Sequence, residues 1–163
     1  MKSAINSTKK FKFRNRSRFL KEKMKSKFYD LAESSDVRCN HAAIIINRRS
    51  GEIISEGHNY HFHKKSSGPW KKRGSWSMHA EEAAYRKFLK IHKKCKHRPN
   101  DLFDLIVVRK YSNGEPGYMN SKPCEKCHAK LAKLKKKKII NKVYYSIESK
   151  TDELSNSIVE EHF

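Results

Sequence analysis

At 163 residues the chain has room for one domain with a real core and is too short for two ordinary ones. Lys and Arg total 38 against 17 Asp and Glu, a formal charge of +21 that attracts polyanions and makes such binding fall with salt. No apolar run approaches the roughly 20 residues of a membrane span, and no apolar secretory stretch opens the sequence, so we expect no membrane partner and an intracellular protein, cytoplasmic or nuclear. The cysteines, Cys39, Cys95, Cys124 and Cys127, are too few for a disulfide scaffold and suit metal or redox work in a reduced compartment.

Residues 1–27 hold eleven Lys or Arg and one acid, Glu22, with Phe11, Phe13 and Phe19 among them. An A+T-rich genome would also raise Lys, Asn and Ile, but would not by itself deplete this stretch of acids. We read it as a basic N-terminal arm that follows a phosphate backbone, with an organelle transit segment as the competing reading. Leu20, Met24, Phe28 and Leu31 recur at helical spacing and predict a first helix packing on the domain, which we take as residues 28–163.

Ala42 to Ile46 is too short for a helix and ends in three β-branched residues, so it predicts a buried strand. Ser50-Gly51 turns the chain, and a second strand from Ile53 to about Gly57-His58-Asn59 makes a hairpin the simplest connection. In residues 60–78, Tyr60, Phe62, Trp70 and Trp76 are interleaved with lysines, while Gly68, Pro69 and Gly74 break regular structure, so this stretch is expected to be a loop. From His79 to about Lys93, Ala80, Ala84, Phe88 and Ile91 mark one face of a helix.

After a polar loop, Leu105 to Val108 predicts another strand. Residues 111–122 carry Asn113-Gly114 and Pro116-Gly117 and predict a turn or small hairpin. Pro123 is expected at the first helical position, followed by a helix whose stripe is Cys124, Cys127, Leu131 and Leu134 and whose far face is lysine. Val143 to Tyr145 predicts a further strand.

Two short motifs stand out in this order: His79-Ala80-Glu81 at one helix start, and Pro123-Cys124-Glu125-Lys126-Cys127 at another. His79, Cys124 and Cys127 are ligand types that suit Zn2+, and Glu81 is left over beside them. A structural zinc site is closed by four protein ligands. Three ligands plus an acid leave a position where water can be bound and activated, its pKa falling from about 15.7 towards about 7. Two helix N-termini aimed at one point also favour thiolates there. Singly, H-x-E or C-x-x-C is common; their order, and the helix after each, carry the reading. His58, His61, His63, Cys95 and His97 match no finger spacing and are not read as a second metal site.

Over residues 40–146 these motifs resemble the cytidine deaminase superfamily, which includes deoxycytidylate deaminases, tRNA adenosine deaminases and polynucleotide cytidine deaminases. The resemblance implies a three-layer α/β/α fold with a central mixed sheet of four to five strands. It also implies that His79, Cys124 and Cys127 hold Zn2+ and that Glu81 is the general acid and base. Asn59, from Gly57-His58-Asn59, would hydrogen-bond sugar or base, and the N–H of Ala80 and carbonyl of Lys122 would meet the base edge. The interval 82–122 is longer than in many relatives, which implies remodelled substrate loops. Relatives acting on nucleotides or polynucleotides often add a parallel fifth strand, whose crossover needs about a dozen residues. Only seventeen residues follow Ser146, so an antiparallel return or a missing fifth strand fits better.

The expected function is zinc-dependent hydrolytic deamination of cytosine to uracil, in single-stranded DNA or RNA, with Trp70 and Trp76 stacking on bases at about 1–3 kcal/mol each. Free cytidine or deoxycytidylate and adenosine in tRNA remain alternative substrates. A catalytically idle, zinc-stabilised nucleic-acid-binding protein is the alternative class.

Overall fold

The structure is a computed structural model, and it describes residues 18–63, 75–94, 101–112, 115–151 and 153–163. Helix α1 runs Arg18–Glu33 and strand β1 His41–Asn47, paired antiparallel with β2, Ile53–His58. Strands β3, Tyr60–His63, and β4, Ser75–Met78, form a separate hairpin, followed by α2, Ala80–Lys94. Then come β5, Phe103–Lys110, the two-residue β6, Tyr118–Met119, α3, Glu125–Lys136, and β7, Lys142–Ser146. A short α4, Leu154–Ser157, and β8, Ile158–Glu160, complete the described elements.

The main sheet has the order β2-β1-β5-β7-β8, with β6 added on β5. It is mixed: β5 and β7 are parallel, while β1–β5 and β7–β8 are antiparallel. The period of two along each strand divides the core into two halves. Ala42, Ile44, Ile46, Ile106 and Val108 face Met24, Phe28 and Leu31 of α1. Ala43, Ile45, Leu105 and Val107 face Ala80, Ala84 and Phe88 of α2 and Leu131 of α3. The result is the expected three-layer α/β/α fold. Fully burying each such side chain contributes about 1.5–3 kcal/mol, which is why both faces of β1 and β5 can be apolar.

Helix α1 carries Met24, Phe28 and Leu31 on one buried face, as their helical spacing predicts. Two expectations change. Residues 60–78 are not all loop: Phe62 pairs with Trp76 and Tyr60 with Met78. The alternation Tyr-His-Phe-His and Ser-Trp-Ser-Met is a strand period that the glycines and Pro69 between them obscured. Pro123 lies one place before the helix cap, which is Cys124. The chain after Ser146 does return antiparallel, as β8.

Candidate metal centre and active site

The antiparallel pairing brings the last residue of β2, the first of β1 and the end of β5 together, with Ala42 opposite His58 and His41 opposite Arg109. The helices that follow start at this end. His79 stands just before α2, and its carbonyl accepts the Ala83 N–H at 2.9 Å. Glu81 and Glu82 lie in the first turn, where acids complement the helix dipole. A Cβ on Gly57 would come 2.5 Å from the Ala84 nitrogen and 2.7 Å from the Ala80 carbonyl oxygen, so glycine is what lets β2 lie against this turn. Ser55 Oγ donates to the Ala84 carbonyl at 3.0 Å and fixes the same contact.

The second motif is held by a serine network. Ser121 Oγ donates to the Val107 carbonyl at 2.9 Å, and the Ser146 N–H donates to Ser121 Oγ at 2.8 Å. The segment entering Pro123 is thereby tied to both β5 and β7. Cys124 then caps α3 with extended backbone, and its carbonyl accepts the His128 N–H at 2.8 Å.

These two anchorages place His79 Nδ1 at 3.3 Å from Cys127 Sγ and 3.6 Å from Cys124 Sγ. All three ligand atoms lie within 4.8 Å of one another. Tetrahedral zinc, with bonds of about 2.0–2.1 Å to nitrogen and 2.3 Å to sulfur, sets adjacent N and S ligands roughly 3.6 Å apart, so the donor set and its spacing fit zinc. Cys127 is buried and Cys124 exposed. Burial pushes the Cys127 thiol well above its usual range, and the neighbouring Glu81 charge adds to this. A divalent cation removes that penalty by taking the thiolate.

Glu81 is not in the ligand cluster and is only 5% exposed. Burial raises its carboxyl above the ordinary 4.5, against a smaller pull downward from its own backbone N–H and from His79. Burial thus favours the protonated form of this carboxyl.

The other expected site residues are placed unevenly. Asn59 is buried. Its carbonyl oxygen accepts from Ser35 Oγ at 2.8 Å and from the His41 N–H at 2.9 Å, and its NH2 donates to the Cys39 carbonyl. Asn59 therefore ties the 35–41 connection to the site end of the sheet. Ala80 is fully buried, one residue from His79. Lys122 is exposed; its N–H donates to Asn120 Oδ1 at 2.9 Å, and its Nζ lies 3.8 Å from Glu161 Oε1. Trp76 is on β4 and Trp70 lies outside the described residues, as do Cys95 and His97. Among the described residues the metal-capable group is His79, Cys124 and Cys127, and His58 and His61 do not join it.

Sequence reasoning missed two groups. Glu82 accepts from Lys130 Nζ at 2.9 Å and from Arg86 Nη2 at 2.6 Å, joining α2 to α3 one turn from the ligands. Burial alone would raise its carboxyl, but these hydrogen bonds outweigh that and hold it below the usual value. Its sequence signal was partial, since only the Glu82–Arg86 spacing shows along one helix. His41 and Arg109 are the second group: a basic residue ending an apolar strand was visible, but its neighbour across the sheet was not.

A mixed sheet whose helices present one histidine, two thiols and a buried spare acid at a single point defines the class of zinc-dependent hydrolases that act through an activated water. The chain belongs to the cytidine and deoxycytidylate deaminase family: the zinc-binding region of that family matches residues 19–143. It is thus built for zinc-dependent hydrolytic deamination. Among solved structures it is similar to the dCMP deaminase of cyanophage S-TIM5 in apo form, at 19% identity and a TM-score of 0.46, over 82% of this chain and 87% of that one. The same enzyme in complex with dCMP and dUMP matches at 19% identity and a TM-score of 0.46, over 82% and 85%. No curated protein matches the sequence.

Proposed function

We propose that the protein hydrolyses the exocyclic amine of cytosine, carried on a cytidine nucleotide, to give uracil and ammonia. The observation that supports this reading is the buried Glu81 two residues from His79 of a three-residue ligand set, one protein ligand short of a closed tetrahedral zinc site. When bound there, zinc supplies the Lewis acidity that makes water a nucleophile at neutral pH. Glu81 takes a proton from that water, delivers it to the ring nitrogen N3, and then assists protonation of the departing amine. Its position in the first turn of α2, two residues from His79, is fixed by the contacts of that turn with Gly57 and Ser55. The N–H of Ala80, unsatisfied within the helix, and the carbonyl of Lys122 are available to the base edge.

A second reading, cytosine within a single-stranded polynucleotide, is favoured by the exposed Lys126, Lys133, Lys136, Lys137 and Lys138 along α3 and its end. Ammonia release from cytidine, deoxycytidylate and a single-stranded oligonucleotide separates the two. Turnover of deoxycytidylate above the oligonucleotide supports the first, and the reverse order supports the second. Release from none of the three, with zinc bound and the fold intact, overturns cytosine deamination and leaves the idle binding protein.

A further inference from the structure

Arg109 and His41 are two polar groups that the deamination chemistry leaves unused at the site end of the sheet. They are register partners across β1 and β5. By the strand period both project to the same side as Ala43, Ile45, Leu105 and Val107, the side that α2 and α3 cover. The Ser121–Val107 hydrogen bond sets the approach to Cys124 against β5 two residues before Arg109. The charges of Arg109 and His79 both act on the His41 ring, which is therefore within electrostatic reach of the metal ligands.

The guanidinium is poorly spent. Its Nη2 donates to Cys39 Sγ at 3.2 Å, and sulfur is a weak acceptor. Its Nε is buried with no hydrogen-bond partner, and among the described residues no carboxylate pairs with it. A half-buried Arg left in this state costs stability, since a desolvated charge with unfilled donors has lost its water and gained little. An oxyanion with several acceptor oxygens would fill the fork, as phosphate does. The His41 ring flanks the guanidinium with its Nδ1 N–H spent on the Cys39 carbonyl at 3.2 Å, while Asn59 Oδ1 holds the His41 backbone in place.

We propose that Arg109, with His41 beside it, is the subsite for the phosphate on the 5′ side of the target cytidine. This rests on the deaminase reading for the nucleoside half of the ligand, while the phosphate contact is tested separately from turnover. A terminal monophosphate and an internucleotide phosphodiester share this chemistry, and the two ligands of the test distinguish them.

The measurement is equilibrium binding of deoxycytidine, deoxycytidylate and the dinucleotide TpdC to the zinc-loaded protein and to Arg109→Gln, with ammonia release followed in parallel. The wild type is expected to bind a phosphorylated ligand at least tenfold more tightly than deoxycytidine. In Arg109→Gln that ratio collapses towards one, and in Arg109→Lys, which keeps the charge but not the fork, it is intermediate. Melting temperature and zinc content identify a variant that has merely unfolded, and the Lys variant then carries the test. A greater gain with deoxycytidylate identifies a terminal phosphate, and a greater gain with TpdC an internucleotide one. No gain from either phosphate in the wild type, or a ratio unchanged in Arg109→Gln, overturns the proposal. A ratio that collapses as expected with no ammonia release from any ligand leaves the subsite standing and sinks the deaminase reading instead.

Discussion

Glu81 and Cys127 are buried ionisable groups a few residues from a helix start, and their burial works in opposite senses for function. Burial raises both, which favours the protonated Glu81 carboxyl, the form a proton donor needs, but makes the Cys127 thiolate costly until a cation takes it. Replacing Glu81 by Gln keeps the size and burial and removes the exchangeable proton. That variant is expected to retain zinc and the wild-type melting temperature while turnover falls by about 10²–10⁴-fold, read by ammonia release and metal analysis. Loss of zinc in Glu81→Gln would instead make Glu81 a ligand. These residues were legible in the sequence because their spacing is local: His79 and Glu81 share one helix start, and Cys124 and Cys127 another. Asn59 was legible as a position but not as a contact, since its hydrogen bonds reach Ser35, Cys39 and His41, more than fifteen residues upstream.

Among the elements, the placement of α2 decides whether the ligands meet. Its first turn lies on β2 with no space for a side chain at Gly57 and is joined to α3 through Glu82 and Lys130. Gly57→Ala must push back the α2 backbone, because the atoms in its way are the Ala84 nitrogen and Ala80 carbonyl rather than the end of a flexible side chain. The expected cost is about 1–3 kcal/mol, seen in thermal melting, together with weaker zinc binding in a chelator competition. Unchanged zinc affinity would mean that the His79 and Cys127 positions do not depend on this contact. The β3–β4 hairpin was hidden from sequence reading, because Gly and Pro in the connection dominate a local view while the pairing of Tyr60 with Met78 spans eighteen positions. The sequence left the segment after β7 open between an antiparallel return and a missing fifth strand, and the pairing of β8 with β7 is the antiparallel return.

For the whole molecule the charge of +21 is the largest signal beyond the zinc motifs. Lysines exposed on α3 are arranged on the side away from its buried stripe of Cys127 and Leu131. If they contact a phosphate backbone, binding of a single-stranded oligonucleotide should fall about tenfold or more between 50 and 200 mM salt, as even three such contacts require. Weak binding that does not change with salt would make the lysines a solvated face. No described helix is long and apolar enough to cross a membrane.

By itself the sequence determined the ligands, the spare acid and the order of most elements. Each of these depends on residues close in the chain. Only the tertiary structure decided which groups surround that chemistry: that Asn59 holds the 35–41 connection, that Glu82 reaches Lys130, and that Arg109 lies beside His41 with a buried Nε unfilled. These contacts are made across strands and between helices, where sequence separation carries no information about distance.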